Sequence, residues 1–143
     1  GLARYATLQP EYNLYDREGY ESALEAVATQ HGLGVINYYS LASGFLSGKY
    51  RSAADAGKSA RGQGVVEKYL NPRGLAILAA LDDISQAHGV TPTQVALAWQ
   101  IARPSITAPI VSATSLDQLD DLIGATQLRL SPEESEKLAQ ASR

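Results

Sequence analysis

One stretch of the sequence combines the residue types that a phosphate-binding loop requires. Residues Gly34 to Lys49 begin as a short apolar run with β-branched side chains, which is typical of a buried strand. Small residues, hydroxyl groups, glycines and a terminal lysine follow. Backbone N–H groups and small donors in such a loop can approach an anion, because no bulky side chain intervenes. The residues alone leave two interpretations about equally open, a phosphate-binding loop or an ordinary strand with its turn.

A second stretch with anion-binding chemistry lies near the carboxyl end of the chain. Thr114 and Ser115 precede a helix predicted for residues 116–125, with Asp117 in its first turn. The amino end of a helix attracts anions through its free N–H groups. Simple capping of the helix by Ser115 is the alternative, and these residues alone favour it slightly.

Other kinds of catalytic or metal site are excluded or disfavoured by composition. The sequence contains no cysteine, so it has no disulfide, no thiolate nucleophile and no cysteine-ligated zinc. Its two histidines, His31 and His88, each precede a glycine at a predicted helix end, where an imidazole interacts well with the helix dipole. Structural roles are therefore favoured for both, and we expect no metal site.

Size and charge narrow the remaining functions. The chain has 143 residues, of which 45% are hydrophobic and 19% charged, as expected of one globular domain. A net charge of −3 gives no electrostatic reason to expect nucleic acid. We find neither a membrane-length apolar run nor a signal peptide, so we expect a cytoplasmic protein without a membrane partner. The first residues lack a methionine and already have an apolar pattern, which suggests that the chain begins within a fold.

These stretches need a scaffold, and the pattern of elements predicts an α/β one. We predict strands at residues 2–9, 35–38 and 106–112. Helices are predicted between and after them, at 18–30, 72–88, 92–103, 116–125 and 132–141, with one or two helical turns at 65–70. Residues 51–64 are polar and rich in small side chains, so we expect a mobile lid or a disordered loop there.

The order of elements predicts parallel strands covered by helices, and it predicts an incomplete fold. About three parallel strands are too few for a closed barrel and would leave two sheet edges unpaired. Polar clusters follow each predicted strand, which is where a (β/α)8 TIM barrel keeps its active site. We therefore predict that residues 1–143 form the carboxy-terminal part of a single barrel domain.

Five segments, in the same order, carry a resemblance to a known family. The chain resembles the carboxy-terminal half of an aldo-keto reductase, in the branch with potassium-channel β subunits and bacterial NADP-dependent oxidoreductases. The matching segments are 9–14 (Gln-Pro-Glu-Tyr-Asn-Leu), 35–50 (from Val-Ile-Asn-Tyr-Tyr-Ser to Ser-Gly-Lys-Tyr), 92–99 (Pro92 with Val-Ala-Leu-Ala-Trp), 109–121 (from Pro-Ile-Val-Ser-Ala-Thr-Ser to Asp-Asp) and 130–134 (Leu-Ser-Pro-Glu-Glu).

The resemblance implies an NADPH site at the carboxyl ends of the strands. Gln9 is expected to bond the nicotinamide amide, and Tyr38 to lie against the nicotinamide ring. The pyrophosphate is expected beside the loop after the second strand, and the adenosine 2′-phosphate beside the last strand. The expected pyrophosphate residues are Ser40, Leu41 and Ser43, with Gly44 and Gly48 allowing the backbone to approach. Lys49 is expected to reach a phosphate as a flexible point charge, and Arg61 in the lid to supply another cationic contact. The expected adenosine residues are Ser112, Thr114, Gln118 and Asp121.

Several residues depart from the commoner family pattern. Asn37, Tyr39 and Ser40 stand where that pattern has Pro, Ser and Pro, so we expect a slightly different loop path, with Tyr39 beside the cofactor and directed toward substrate. Ser112 replaces a frequent glycine and crowds its turn. Leu122 stands where the family usually has Asn, so we expect one adenine hydrogen bond to be lost.

The implied reaction is reduction of an aldehyde or ketone by hydride transfer from NADPH. In the family the proton donor is a tyrosine, tuned by an aspartate, a lysine and a histidine. All four belong to the first half of the barrel, so we assign no catalytic residue here and expect the chain alone to be inactive. Two alternatives stay open: a non-catalytic NADPH-binding regulatory module, and a structural fragment. In each case the open sheet edges need the amino-terminal half of the barrel or a second chain.

Overall fold

Helices dominate the computed structural model, which describes residues 2–143. Its two strands and six α-helices are β1 (Thr7–Leu8), α1 (Glu25–His31), β2 (Gly34–Val35), α2 (Gly62–Tyr69), α3 (Pro72–His88), α4 (Pro92–Ile101), α5 (Leu116–Gly124) and α6 (Pro132–Ala141). Three short helices of other types lie between them: a π-helical turn at Tyr20–Leu24 and 3-10 helices at Ala42–Ser47 and Ala53–Lys58.

The sheet is parallel, as predicted, but its strands are shorter than predicted. Thr7 pairs with Gly34 and Leu8 with Val35, and an isolated parallel bridge joins Glu11 to Tyr38. The predicted strands at 2–9 and 35–38 were therefore too long. Pro10 lies between the ladder and the bridge, and a proline has no N–H to donate to a neighbouring strand.

The strand predicted at 106–112 is wrong, although this segment does lie beside β2. Thr107 donates its N–H to the carbonyl of Val35 (2.8 Å), and Ile110 donates to that of Asn37 (2.8 Å). The N–H of Val35 is taken by the side-chain oxygen of Thr107 (3.0 Å). Because a side chain replaces a main-chain acceptor and Pro109 lacks a donor, the segment runs parallel to β2 without forming a regular ladder.

The helix predicted for 18–30 is divided, and only part of its apolar face is buried. Residues Tyr20–Leu24 form a π-helical turn, in which the N–H of Glu25 donates to the carbonyl of Tyr20. This wider turn holds an extra residue and so rotates the following helix. Of the apolar residues at helical spacing in this segment, Tyr20 is buried, whereas Leu24 and Val27 are 38% and 47% exposed. Ala28 is also buried.

The predicted lid is more ordered than expected. Residues 51–64 contain the 3-10 helix Ala53–Lys58 and the first turn of α2, which therefore begins before the predicted residue 65. Ser52 and Asp55 form a reciprocal capping box at the start of the 3-10 helix. The Lys58 ammonium pairs with Asp55 (2.7 Å) and donates to the Lys49 carbonyl (2.9 Å). These contacts fold the segment back onto the loop that it follows.

The predicted starts of the last four helices, at residues 72, 92, 116 and 132, are confirmed. Asn71, Thr91, Ser115 and Ser131 each accept a hydrogen bond from the N–H three residues later (3.0–3.2 Å). Such caps depend on neighbouring residues in the sequence, which explains why they could be predicted locally. The end of α4 at Ile101 is two residues earlier than predicted.

The core surrounds α4. Every residue from Val95 to Gln100 is buried, because this helix packs against α3, α5 and the 3-10 helix Ala42–Ser47. In contrast, α5 has no fully buried residue. We also note that the helices of residues 2–143 are too short or too polar to cross a lipid bilayer.

Candidate functional site

Three parallel segments end side by side. β2 and its continuation to Tyr38 lie in the middle, with Leu8 and Pro10 accepting from Ile36 (3.0 Å) and Tyr38 (2.9 Å) on one side. Residues 107–110 bond to the other side of 35–37. Gln9, Tyr38 and the chain from Ser112 onward therefore come to the same edge. This edge carries the carboxyl ends of the segments, where parallel α/β folds bind ligands.

The loop after β2 has an unusual backbone. Three non-glycine residues have positive φ: Tyr39 (52°), Ala42 (50°) and Ser43 (56°). Gly44 (90°) and Gly48 (78°) share this left-handed region. A run of non-glycine residues in this conformation costs about 1–3 kcal/mol for each, and it concentrates at functional sites.

Two of the predicted pyrophosphate residues serve the loop itself. Ser40 is buried, and its hydroxyl donates to the carbonyl of Ile110 (3.0 Å). Leu41 is half-buried, and its carbonyl accepts the N–H groups of Gly44 (2.9 Å) and Leu46 (3.2 Å). The hydroxyl of Ser40 thus lies inside the fold, whereas Tyr38 and Tyr39 are exposed, with ring centroids 5.2 Å apart in an edge-to-face pair.

A cavity of about 240 Å³ opens between this loop and α2. Three predicted site residues, Tyr39, Ser43 and Arg61, line it. The remaining lining residues were not predicted from the sequence; they are Gly64, Val65, Lys68 and Tyr69. Arg61 and these residues share one helical face at four- and seven-residue spacing. That spacing would have revealed them had α2 been predicted to begin at Gly62.

Two cationic side chains, Arg61 and Lys68, line the cavity. The Arg61 guanidinium makes no hydrogen bond or ion pair with any residue from 2 to 143. The Lys68 ammonium lies 3.1 Å from the Asp16 carboxylate and 3.4 Å from that of Glu11. Burial opposes its charge, but Tyr69 and Asp16 outweigh that effect and raise the pKa of Lys68. The site can therefore hold an anion beside aromatic surfaces.

Tyr69 is not suited to donate a proton. Its hydroxyl donates to the Asp16 carboxylate (2.8 Å), and its ring stacks on Phe45 with centroids 5.4 Å apart. Burial raises the pKa of Tyr69, Lys68 lowers it, and the hydrogen bond to Asp16 raises it further. The net effect is a phenol of weakened acidity, which is the opposite of what an acid catalyst requires.

Lys49 and Gly48 lie at the far end of the same loop. Lys49 is exposed, and its ammonium is 5.5 Å from the centroid of the Tyr50 ring. At Gly48 an added Cβ would meet the Arg51 guanidinium at 2.5 Å, and the residue also has positive φ. The positive φ therefore favours glycine there, whereas the flexible Arg51 side chain could move aside.

The second predicted cluster surrounds the amino end of α5. Ser112 and Thr114 are exposed, and the Thr114 N–H (2.8 Å) and hydroxyl (3.0 Å) both donate to the side-chain oxygen of Gln118. The Asp121 carboxylate accepts from the hydroxyl of Thr91 (2.6 Å). The bond from Ile110 to Asn37 connects this cluster with the loop after β2.

The two histidines lie away from this edge. His88 Nε2 is 2.7 Å from the Glu134 carboxylate at the end of α3, and the carbonyl of His31 accepts from Arg4 (3.2 Å) at the end of α1. Across residues 2–143, no group of three or more potential metal ligands comes together.

Comparison with known proteins gives one family. The model of the aldo/keto reductase family matches residues 1–143. A probable voltage-gated potassium channel subunit β of Arabidopsis thaliana is 31% identical over 127 residues, which cover 84% of this chain and 38% of that protein. The uncharacterized oxidoreductase YrpG of Bacillus subtilis is 33% identical over 127 residues, covering 89% of this chain and 37% of that protein.

A third relative has a reductase activity in its name. The L-glyceraldehyde 3-phosphate reductase of Escherichia coli O157:H7 is 31% identical over 138 residues. The match covers 92% of this chain and 40% of that protein. The chain thus spans about two fifths of the length of the curated relatives that it matches.

Proposed function

Since the chain belongs to the aldo/keto reductase family, we propose that it is the cofactor-binding part of an NADPH-dependent oxidoreductase that reduces aldehydes or ketones to alcohols. The family supports a general oxidoreductase role. The cofactor NADPH and the aldehyde or ketone substrate are part of the proposal. We further propose that residues 1–143 form the carboxy-terminal portion of one (β/α)8 barrel in the cytoplasm. The relatives are more than twice as long, which supports a partial barrel.

The cavity between the loop after β2 and α2 carries this proposal. It joins the exposed Tyr39 ring, the Ser43 turn and the Arg61 guanidinium, which has no partner among residues 2–143, at the carboxyl edge of the sheet. An aromatic surface beside a cation fits a ligand with a flat ring and a phosphate group. A dinucleotide has both features.

The residues at this edge would share the task of holding NADPH. Gln9 and Tyr38 would orient the nicotinamide, and the turn from Ser40 to Gly48 would line the pyrophosphate. Lys49 and Arg61 would supply cationic contacts to phosphate. At the other end, Ser112, Thr114, Gln118 and Asp121 would hold the adenosine portion.

Binding at the adenosine end can use the polar groups that the existing hydrogen bonds leave free. The Gln118 oxygen already accepts from Thr114, and the Asp121 carboxylate already accepts from Thr91. Gln118 keeps its side-chain NH₂ for a ligand, and Asp121 keeps its second carboxylate oxygen. These pairs fix the orientation of both side chains before the ligand arrives, which reduces the entropy lost on binding.

NADPH would supply the hydride, and residues 1–143 contribute position but no assigned proton donor. Tyr12 and Tyr69 both have a raised pKa, chiefly through burial, and Tyr38 and Tyr39 are proposed to contact the cofactor and substrate. We therefore propose that the proton donor precedes this segment in the complete protein. The chain alone should bind without turnover.

The test uses the complete gene product that contains this segment. NADPH is titrated calorimetrically, and the oxidation of NADPH is then followed with a panel of small aldehydes and ketones. Binding at one site per chain with turnover supports the proposal. Binding without turnover would instead support the regulatory alternative, and the absence of binding would support a structural role.

A further inference from the structure

A buried amide on α4 holds the strained loop of the site. Gln100 is fully buried, and its side-chain NH₂ donates to the carbonyl of Ser40 (2.8 Å) and to that of Ala96 within its own helix (3.0 Å). Its oxygen accepts from the side chain of Asn37 (2.7 Å). Both ends of the amide are thus used, and a buried amide without partners would be costly.

Asn37 extends this network from β2 into the loop. Its NH₂ group faces three acceptors: the carbonyl of Tyr12 (2.8 Å), the Gln100 oxygen (2.7 Å) and the Ser40 hydroxyl (3.2 Å). The Asn37 side-chain oxygen is buried and has no partner among residues 2–143. The Asn37 side chain therefore contributes to the network through its NH₂ donors, because its oxygen has no hydrogen-bond partner there.

The loop between these contacts would not keep its shape without them. Tyr39, Ala42 and Ser43 adopt positive φ, and such backbone persists only where its surroundings determine it. Ser40 lies within this run, and both its carbonyl and its hydroxyl are bonded from other elements. The side chain of Asn13 adds a bond to the carbonyl of Tyr39 (3.0 Å).

We propose that Gln100 is a positioning residue, which fixes the turn from Tyr39 to Ser43 through Ser40 and Asn37. Gln100 does not line the cavity. It acts by setting where Tyr39 and Ser43 meet the ligand. The ligand in question is the NADPH of the proposed function, and to that extent the inference rests on it.

The network also accounts for the departure from the commoner family pattern at Asn37 and Ser40. At these positions the side chains of Asn37 and Ser40 form hydrogen bonds, which a proline side chain cannot form. Gln100 supplies the complementary acceptor and donor from α4, 60 or more positions away in the sequence. The network thus connects the two substituted positions, Asn37 and Ser40, that stand on either side of the exposed Tyr39.

The test compares Gln100→Met with Val95→Ala in the complete protein. Methionine keeps the length of the side chain but cannot donate to Ser40 or accept from Asn37. Val95 is a fully buried residue on the same helix and outside the network, so its truncation controls for lost stability. Gln100→Asn, one methylene shorter, serves as the milder variant should Gln100→Met not fold.

NADPH affinity and amide hydrogen exchange are measured for both variants, under conditions in which the two have the same free energy of unfolding. Gln100→Met should weaken NADPH binding about tenfold and Val95→Ala by no more than about twofold. Amide hydrogen exchange within residues 42–48 should accelerate in Gln100→Met and not in Val95→Ala. Equal effects of the two variants on both readouts would overturn the proposal.

The exchange measurement separates this inference from the proposed function. If the parent protein binds no NADPH, the proposed function fails, and exchange within residues 42–48 alone decides the role of Gln100. If the parent binds NADPH and loop exchange is unaffected by Gln100→Met and by Gln100→Asn, only the positioning role fails.

Discussion

At the scale of single residues, an ion-pair cluster joins α1 to the end of α4. The Arg103 guanidinium forms two bonds to the carboxylate of Glu25 (2.8 and 2.6 Å), and the Ser105 hydroxyl donates to the same carboxylate (2.6 Å). The hydrogen bonds from Arg103 lower the pKa of Glu25 more than burial raises it, and the bond from Ser105 lowers it further. The pKa of this carboxyl group therefore lies below its ordinary 4.5. Folding is therefore linked to ionisation of this group.

The sign of that linkage gives a pH prediction. Because the folded pKa lies below the unfolded one, the stabilisation is complete above about pH 4.5 and is lost as the pH falls through the folded value. Glu25→Gln should lower the free energy of unfolding by about 1–2 kcal/mol at neutral pH. It should also make the fall in stability below about pH 5 shallower than in the parent.

Denaturant titrations between about pH 7 and pH 3 measure both effects. Glu18→Gln, at an exposed position of the same region, is the matched control and should follow the parent curve. A Glu25→Gln curve parallel to that of the parent would show that the pair does not contribute as described.

The residue scale also shows what sequence could and could not predict at the site. The starts of the last four helices follow from neighbouring residues, and all four were predicted. The Asn37–Gln100 pair joins residues that are 63 positions apart, and neither residue type indicates burial. Its existence depends on how α4 packs against the loop after β2, which no local pattern specifies.

At the scale of elements, the contact between α2 and the 3-10 helix Ala53–Lys58 depends on one glycine. A Cβ at Gly62 would overlap the carbonyl of Ala56 and lie 3.2 Å from the Tyr50 ring. At Gly64, on the same helix, a Cβ would meet nothing within 4 Å. The two positions therefore provide a matched pair of identical substitutions.

Gly62→Ala should destabilise the protein by about 1–3 kcal/mol, because the backbone of the 3-10 helix must move. Gly64→Ala should leave stability unchanged or raise it by up to about 1 kcal/mol, since alanine favours the helix. Denaturant unfolding measures the difference, and limited proteolysis within residues 53–58 reports on detachment. Equal behaviour of the two variants would contradict this account of the lid.

The strands explain where element prediction failed. Apolar runs at 2–9 and 106–112 resemble strands, but proline and side-chain acceptors interrupt their pairing. The Thr107 hydroxyl that takes the N–H of Val35 is an example of a contact that periodicity cannot reveal. The parallel direction of the segments was nevertheless predicted from the alternation of helices and strands along the chain.

At the scale of the whole molecule, one face of α5 is apolar and uncovered. Leu116, Leu119 and Ile123 are 77%, 45% and 54% exposed and share a face at three- and four-residue spacing. Ile110 and Val111, which precede this helix, are also exposed. Contiguous apolar surface of this kind is typical of an interface. We propose that the remainder of the barrel, or a second chain, covers it.

A segment limited to residues 1–143 should therefore associate. Leu119→Glu combined with Ile123→Glu should raise its monomer fraction, because two charges would be desolvated in any interface. Leu75→Glu, on an exposed position of α3, is the control and should not change association. Sedimentation measures all three, and a monomeric parent segment would contradict the proposed interface.

Family membership was predicted at this scale because the five matching segments are ordered along the whole chain. The predicted number of about three strands was not confirmed. Two of the three parallel segments are too short or too irregular to be separated from loops by their sequence pattern. Of the predicted residues in the loop after β2, Tyr39 and Ser43 line the cavity, whereas the roles of Lys68 and Tyr69 emerged only from the packing of α2 against that loop.

The most direct test of the central claim is the affinity of the complete protein for NADPH and NADH, measured by calorimetry with and without Lys49→Ala. The two cofactors differ by one phosphate, and Lys49 is an exposed cation at the end of the proposed site. We predict binding of NADPH at one site per chain and a loss of about tenfold in Lys49→Ala that exceeds the loss for NADH. An equal loss for both would move Lys49 to the pyrophosphate. Absence of NADPH binding by the parent would contradict the proposed site.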